Sequence, residues 1–579
     1  MTYLNFKSRY DKYPETEVDG YDDQAWKGYG EILKTLASAM LVKKVLTVDC
    51  YPGVDDTEVL TALKNGMHFS EIIESKDVFY DEKTLDALMA RNLTDDRVRG
   101  IMYYGEVSDF IDQDKLLKMR ERVKKAQGSV LVYGFAAALI NEGDIFVYAD
   151  MARWEIQLRY RKGMPNFKAD NEKEDPLRKY KRGFFIEWRI ADRHKEKFYD
   201  SMDFYLDTNV KGDPKMITGS AFTAGLRKVA KGPFRLVPYF DPGIWGGHWM
   251  QEVCGLDKDV PNYAWSFDGV PEENSLYLRY GDIRVETPAM NLTKYLPREF
   301  LGQKTFARFG AEFPIRFDML DTMDGQNLSL QVHPLTEYIK TKFGMPYTQD
   351  ESYYILDAKE DGGVYLGVKN GVDPQAMIAD LERAQNGEFK FPADKYVNLF
   401  PAKKHDHFLI PAGTVHCSSK NSMVLEISAT PYIFTFKLWD WDRVDLNGIP
   451  RPIHIEDGKK VIQFGRDTDW VKENLINRFE TISQNEDYTQ VKTGLHELEF
   501  IETNVYASEK SVKISSGGEF SILNLVDGQE AVIESPENKF APFTVHYAET
   551  FILPAAAGDF IVRSVGGEPF KVIRANVRY

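Results

Sequence analysis

The sequence is poor in cysteine, and its three residues of that type, Cys50, Cys254 and Cys417, form no CxxC pair. An odd and sparse set excludes a disulfide framework and fits a reducing compartment. The opening stretch, MTYLNFKSRYDKYPE, has no apolar core of the secretory kind. The longest apolar runs, such as the one from Val132 to Ile140, are too short to cross a bilayer. The chain is therefore expected in the cytoplasm. Positive charge is in deficit, with 73 Lys and Arg against 89 Asp and Glu, which leaves −16 at pH 7. Such a balance argues against non-specific binding of nucleic acid or of an anionic membrane. A phosphorylated metabolite would need a local cluster of cations.

What is present is globular. The 579 residues are 43% hydrophobic and 28% charged, enough for several domains. Residues 1–232 alternate strand-like and helix-like stretches and read as an α/β domain of unassigned role. KVLTVDC ends at the turn signal Tyr51-Pro52-Gly53, and a helix is expected from Asp55 to Asn65. VLVYGFAAALI (Val130–Ile140) has the order strand, Gly, helix, where a nucleotide-binding loop would sit. It carries no GxxxxGK[ST], so the phosphate-binding lysine and the magnesium-binding hydroxyl are missing. The stretch faintly resembles the core of P-loop kinases with the loop lost, and it reads as a scaffold turn. The missing lysine argues against kinase activity in this domain. Between Arg159 and Lys195, Arg159, Arg161, Arg178, Lys181, Arg182, Arg189 and Arg193 alternate with acidic residues, which predicts a solvated helical surface.

After Lys231-Gly232-Pro233 turns become frequent and β-like runs dominate. Helical interruptions are expected at Pro374–Ala384 and around Asp467–Ile482. Two further divisions follow: 233–496, with a helical insertion, and a β domain at 497–579. FLIPAGTVH (Phe408–His416) recurs in weaker form as FILPAAAGD (Phe551–Asp559). Two related β modules would leave such an echo. Only the first copy ends in His, so only the first is expected to carry a metal.

Ser329, Gln331 and His333 alternate in LSLQVHP, so they would line one face of a strand. With Glu351 and His416 they offer two imidazoles, a carboxylate and an amide oxygen. That donor set suits Zn²⁺ with a position left open, although another divalent metal is compatible. His405 and His407, at i and i+2, offer a second pair, which reads as structural. Lys403 and Lys404 before them read as a solvated hairpin tip.

From Leu236 onward the sequence resembles the type I mannose-6-phosphate isomerase family of zinc-dependent double-cupin enzymes. The resemblance is carried by FDPGIWGG (Phe240–Gly247), FPIRFDMLD (Phe313–Asp321), LSLQVHP (Leu328–Pro334), ESYYILDA (Glu351–Ala358), FLIPAGTVH (Phe408–His416), WDWDR (Trp439–Arg443) and RPIHIE (Arg451–Glu456). It implies a mainly β, jelly-roll double-cupin region behind the α/β domain. It implies that Gln331, His333, Glu351 and His416 bind Zn²⁺. It also implies a phosphorylated hexose substrate and interconversion of mannose 6-phosphate and fructose 6-phosphate. Glu426 and Lys437 are the candidate catalytic residues, and Ser329 and Arg443 the candidate substrate-binding ones.

The surrounding charges depart from the family pattern. An active-site Arg is expected about ten residues after Glu426, and Lys437 stands there with one extra residue between. Lys keeps the charge and loses the planar fork. The family's Lys two residues before the Glu ligand is Gln349 here, and the acidic pair after His-Pro is Leu335-Thr336. These departures motivate an alternative, a metal-binding sugar sensor or regulatory protein of the same fold. Trp245 reads as a structural anchor. One residue of each pair Tyr353/Tyr354 and Trp439/Trp441 is expected in a core. Cys417 reads as a small buried residue on the face opposite His416.

Overall fold

Runs such as VLTVDC, VLVYG and IFVYAD are apolar at nearly every position, as strands covered on both faces must be. In the computed structural model, which describes residues 3–42, 44–386, 388–429, 432, 434–444, 453–494 and 496–579, they form the middle of a seven-stranded sheet. Its order is Ala25–Lys27, Lys215–Thr218, Phe204–Asp207, Ile145–Asp150, Val45–Cys50, Val130–Gly134, Glu71–Glu74. The last five strands run parallel, and the first two are antiparallel additions at one edge. The helix after the central strand spans Asp56–Gly66, and the Asp55 side chain caps it by accepting from the Glu58 N–H.

Val130–Gly134 is not followed by the expected helix. The chain makes only a 3-10 turn at Ala137–Leu139. The N–H groups of Ala136 and Ala138 both donate to the buried Asp49 carboxylate, at 3.2 and 2.9 Å. His194 Nε2 lies 2.8 Å from the same carboxylate. The amides that a phosphate would need are thus committed to an internal anion.

The Arg/Lys-rich stretch is also corrected. Arg159, Lys181, Arg182 and Arg189 are buried, not solvated, while Arg161 and Arg178 are exposed. Each buried cation has partners. Arg159 donates to the Thr208 carbonyl at 2.8 Å, and Arg182 pairs with Glu187 at 2.7 Å. Arg189 and Arg153 both grip Glu272, and Arg153 also grips Asp192. Some of these partners are local, such as Glu187, but Glu272 and the Thr208 carbonyl come from outside the stretch, and local patterning does not reveal them.

The chain divides into two compact units, and its path crosses between them more than once. One unit comprises Glu15–Val229 and Glu272–Leu296. The latter segment contributes the hairpin Ser275–Tyr280/Ile283–Pro288, with Glu15–Glu17 added in parallel. The other unit comprises the residues through Pro14, Ala230–Pro271 and Pro297–Tyr579, so 497–579 groups with the segments before it. Its N-terminal strap is held by buried polar contacts. Tyr10 donates to Asp268, the Asp11 N–H donates to Glu549 at 2.7 Å, and Arg235 pairs with Glu549 at 2.7 Å.

This second unit is built from antiparallel sheets. A six-stranded sheet has the order His407–Ile410, Glu351–Ala358, Ser422–Ala429, Ile315–Asp321, Trp265–Gly269, Tyr239–Asp241. A five-stranded sheet has the order Val397–Pro401, Gly363–Val368, His416–Ser418, Leu330–Val332, Phe436–Trp439. Two further sheets, of six and four strands, lie between Glu480 and Val577 and enclose a core that includes Leu523, Phe551, Phe560 and Val572. The helix Pro374–Gln385 forms where a helical interruption is expected. The helix expected around Asp467–Ile482 is shorter, Thr468–Asn474, and Glu480–Gln484 is an edge strand. Arg451 and Pro452 of the RPIHIE string lie outside the described residues. Among the described residues no helix is long and apolar enough to cross a membrane.

Candidate metal centre

Strand register assembles the site. Gln331 pairs directly with His416 on one neighbouring strand and with Lys437 on the other. Directly opposed residues of antiparallel strands project to the same face, so these three side chains share one. His333 follows immediately after the strand. On the six-stranded sheet Tyr353 faces Glu426, and Glu426 faces Asp318 on its other side. Glu351 stands two residues before Tyr353 and pairs with Ser428, so it belongs to the same row.

The two faces bring Gln331, His333, Glu351 and His416 together. His333 Nε2 lies 3.0 Å from Glu351 Oε2, and His416 Nε2 lies 2.8 Å from Oε1. The Gln331 amide is 3.1 Å from His416 Nε2. All four side chains are buried. Among the described residues, His333, Glu351 and His416 form a group able to hold a metal ion, with donor atoms within 4.8 Å of one another.

The tautomers suit that use. His333 Nδ1 is 2.8 Å from the Phe434 carbonyl, and His416 Nδ1 is 2.8 Å from the Thr414 carbonyl. A carbonyl only accepts, so each Nδ1 carries the proton and each Nε2 presents a lone pair. His333 Nε2 and Glu351 Oε1 are buried and complete no hydrogen bond. Buried donor atoms this close could serve as ligands to a common cation. A half-turn of the Gln331 amide directs its oxygen there. Burial alone would raise the Glu351 pKa, but the two imidazoles outweigh it and hold the carboxyl well below its usual range. The same pairing outweighs burial at His333 and raises its affinity for a proton. Two imidazole nitrogens, a carboxylate and an amide oxygen fit Zn²⁺ or a similar divalent cation.

A further layer holds these groups in place. Gln349, which the sequence flags only as a missing cation, is buried and donates to Glu351 Oε2 at 3.0 Å. Arg466 went unnoticed in the sequence because no motif surrounds it. Its guanidinium donates to the Pro411 and Ala412 carbonyls and to the Thr414 hydroxyl, at 2.6, 2.7 and 2.6 Å. Asp350 accepts from the Ala412 N–H at 2.8 Å. The turn that carries His416 is thereby clamped from both sides. Arg316 and Asp318, 3.0 Å apart, extend the polar row beyond Glu426. Their alternation in the apolar run IRFDMLD was the available signal.

The other expected residues take the following places. Glu426 is buried, and its pKa is raised by burial first, then by Glu351 and Asp318. Lys437 stands across from Gln331 and is half-buried. Ser329 donates to Asp440 at 2.6 Å, and Arg443 pairs with the same carboxylate at 2.7 Å, so both are engaged with Asp440. His407 is buried apart from the cluster with its pKa pushed down to about 3 by burial, and His405 lies beside Asp527. Trp245 is buried edge-to-face against Trp265, at 4.8 Å between centroids. Cys417 is buried, and burial pushes its thiol pKa up.

Comparison with known proteins divides along the same lines. Residues 28–231 match a family described as a domain of unknown function, DUF8485. Mannose-6-phosphate isomerase ManA of Bacillus subtilis (strain 168) is 26% identical over 329 residues, 57% of this chain and 95% of that protein. Mannose-6-phosphate isomerase of Streptococcus mutans is 27% identical over 227 residues, 38% of this chain and 65% of that one. The crystal structure of the Bacillus subtilis mannose 6-phosphate isomerase superposes with a TM-score of 0.49 at 19% identity, covering 60% of this chain and all of that one. A zinc-bound mannose 6-phosphate isomerase superposes with a TM-score of 0.46 at 14% identity, covering 60% of this chain and 100% of its own. Over more than half of its length the chain is homologous in sequence to mannose-6-phosphate isomerases.

Proposed function

We propose that the chain is a metal-dependent aldose–ketose isomerase interconverting mannose 6-phosphate and fructose 6-phosphate. Gln331, His333, Glu351 and His416 hold the cation, and the cation is Zn²⁺. The observation that carries this reading is the buried donor cluster, with both imidazoles fixed in the ligand tautomer. The homologues named mannose-6-phosphate isomerase support it. The fold in this reading is a double cupin behind an α/β domain, with metal only in the first β module.

The reaction moves a proton between C1 and C2 of the sugar and passes through an ene-diolate. A divalent cation in the cluster supplies Lewis-acid stabilisation of that negative charge. The chain's own residues handle the proton. Glu426 is the buried carboxyl beside Glu351, on the face of the sheet that carries it, so it is placed to carry the proton between C2 and C1. Lys437, on the face of Gln331, places a positive charge toward the developing oxyanion or toward the phosphate. Ser329 and Arg443 are the substrate-side candidates. Asp440 neutralises Arg443, so a phosphate there competes with this carboxylate.

That neutralisation, together with Gln349 in place of a lysine, favours one second reading: a metal-dependent sugar-binding regulator on the same scaffold. An assay separates the two. Zinc-loaded protein is incubated with fructose 6-phosphate, and formation of mannose 6-phosphate is followed with and without chelator. Saturable turnover that the chelator abolishes and Zn²⁺ restores is the expected result. Bound metal and bound sugar without turnover would discard the isomerase in favour of the regulator.

A further inference from the structure

We infer that Gln349 is a positioning residue that sets the geometry of the metal centre, holding Glu351 directly and His333 through the backbone of Phe434. This rests on the reading of the cluster as a metal site. Gln349 is buried, and both ends of its amide are used. Its Oε1 accepts from the Phe434 N–H at 2.8 Å, and its Nε2 donates to Glu351 Oε2 at 3.0 Å. The Phe434 carbonyl in turn accepts from His333 Nδ1 at 2.8 Å. His333 Nε2 then lies 3.0 Å from Glu351 Oε2, which closes the ring.

The direction of each hydrogen bond from Glu351 through Gln349 and Phe434 to His333 is determined. The Phe434 N–H can only donate and its carbonyl can only accept. Gln349 must therefore turn its oxygen to Phe434 and its NH₂ to Glu351. One amide thus fixes the rotation of the Glu351 carboxylate and, through a single peptide unit, the tautomer and orientation of the His333 ring. Metal-binding imidazoles and carboxylates are held by outer partners of this kind.

Few side chains meet both demands. A lysine donates to Glu351 but leaves the buried Phe434 N–H without an acceptor. A glutamate accepts from Phe434 but faces Glu351 with a second negative charge. Glutamine does both and adds no charge, so Glu351 keeps its full negative charge for a cation. Gln349 in place of the family's lysine is accordingly more than the loss of a charge. It exchanges a mobile cation for a rigid, neutral link between two ligands.

The test is metal affinity and ligand-field spectroscopy of Gln349→Met, which keeps the side-chain volume and removes both hydrogen bonds. Zn²⁺ affinity is read by competition with a chromophoric chelator, and the Co²⁺-loaded protein is read by its visible absorption. Folding is checked by circular dichroism. A folded Gln349→Met is expected to bind Zn²⁺ about 10–100-fold more weakly. Its Co²⁺ bands are expected to shift, because Glu351 and His333 are free to rotate. Zn²⁺ affinity within about twofold of the parent, with superimposable Co²⁺ spectra, would overturn the assignment. If Gln349→Met does not fold, Gln349→Lys decides on the same readouts. It keeps the donor to Glu351 and loses the acceptor for Phe434, so weaker binding with shifted bands supports the inference and an unchanged site overturns it. Isomerase activity is not a readout, so metal held without turnover refutes the proposed reaction alone. A parent protein that takes up no metal refutes the metal centre and this inference with it.

Discussion

Single side chains in this molecule are repeatedly placed where an isolated charge would be untenable. Arg153 is buried between Asp192 and Glu272, and Arg189 shares Glu272. Burial works against the Asp192 charge, yet the Arg153 guanidinium dominates and holds the carboxyl well below its usual range. Glu272 is the hinge of this network, since it answers two guanidiniums at once. Glu272→Gln should therefore cost about 3–5 kcal/mol, because removing one partner leaves buried charge uncompensated. Equilibrium denaturation of the full chain measures the loss, and a change below about 1 kcal/mol would contradict the network as described. Asp49 shows the same principle with backbone donors. It occupies the amides of Ala136 and Ala138, so the loop after Val130–Gly134 needs no outside anion.

The Pro411–Thr414 turn shows the same logic at the scale of one element. It delivers His416 from the strand His407–Ile410 of one sheet to the strand His416–Ser418 of the other. Gly413 permits this with φ of +91°. A Cβ there would lie 2.7 Å from Gln463 Cγ and 2.9 Å from Leu335 Cδ2, and the Gly413 N–H donates to the His333 carbonyl at 3.0 Å. Gly413→Ala should destabilise by about 1–3 kcal/mol and weaken metal binding along with it, since the turn touches both His ligands. Thermal unfolding and chelator competition on the same sample check the coupling; loss of stability with metal affinity untouched would sever it. The weaker echo at Phe551–Asp559 has a 3-10 turn at Ala555–Ala557 and no histidine, and its strand Thr550–Leu553 runs into plain core. Much of this was legible: FLIPAGTVH announces strand and turn and ends in the candidate ligand His416. The helix expected around Asp467–Ile482 was legible only as far as Asn474, because the pairing of Glu480–Gln484 with Tyr488–Gly494 overrides local propensity.

At the scale of the whole molecule, a cation held at the candidate metal centre should contribute measurably to stability. A ligand that binds only the folded state adds about 2.7 kcal/mol at 100 times its Kd. Zn²⁺ at that excess should raise the unfolding temperature in calorimetry, and chelator should reverse the rise. An unfolding temperature indifferent to both would count against a folded-state metal site.

The sequence by itself determined those strands that are runs of apolar residues, such as Val45–Cys50 and Ile145–Asp150, and the candidate ligands, which are rare residue types in recognisable strings. It also determined that no phosphate-binding lysine follows Val130–Gly134. Those properties are local, and short windows of residues carry them. Only the tertiary structure decided that Arg159, Lys181, Arg182 and Arg189 are buried, with Glu272 brought in from far along the chain to answer Arg189. It alone placed Gln331 against His416, 85 residues away, and closed the ring through Gln349 and Phe434. Such pairings depend on which strands lie side by side, and register between distant strands is set by the packing of whole sheets.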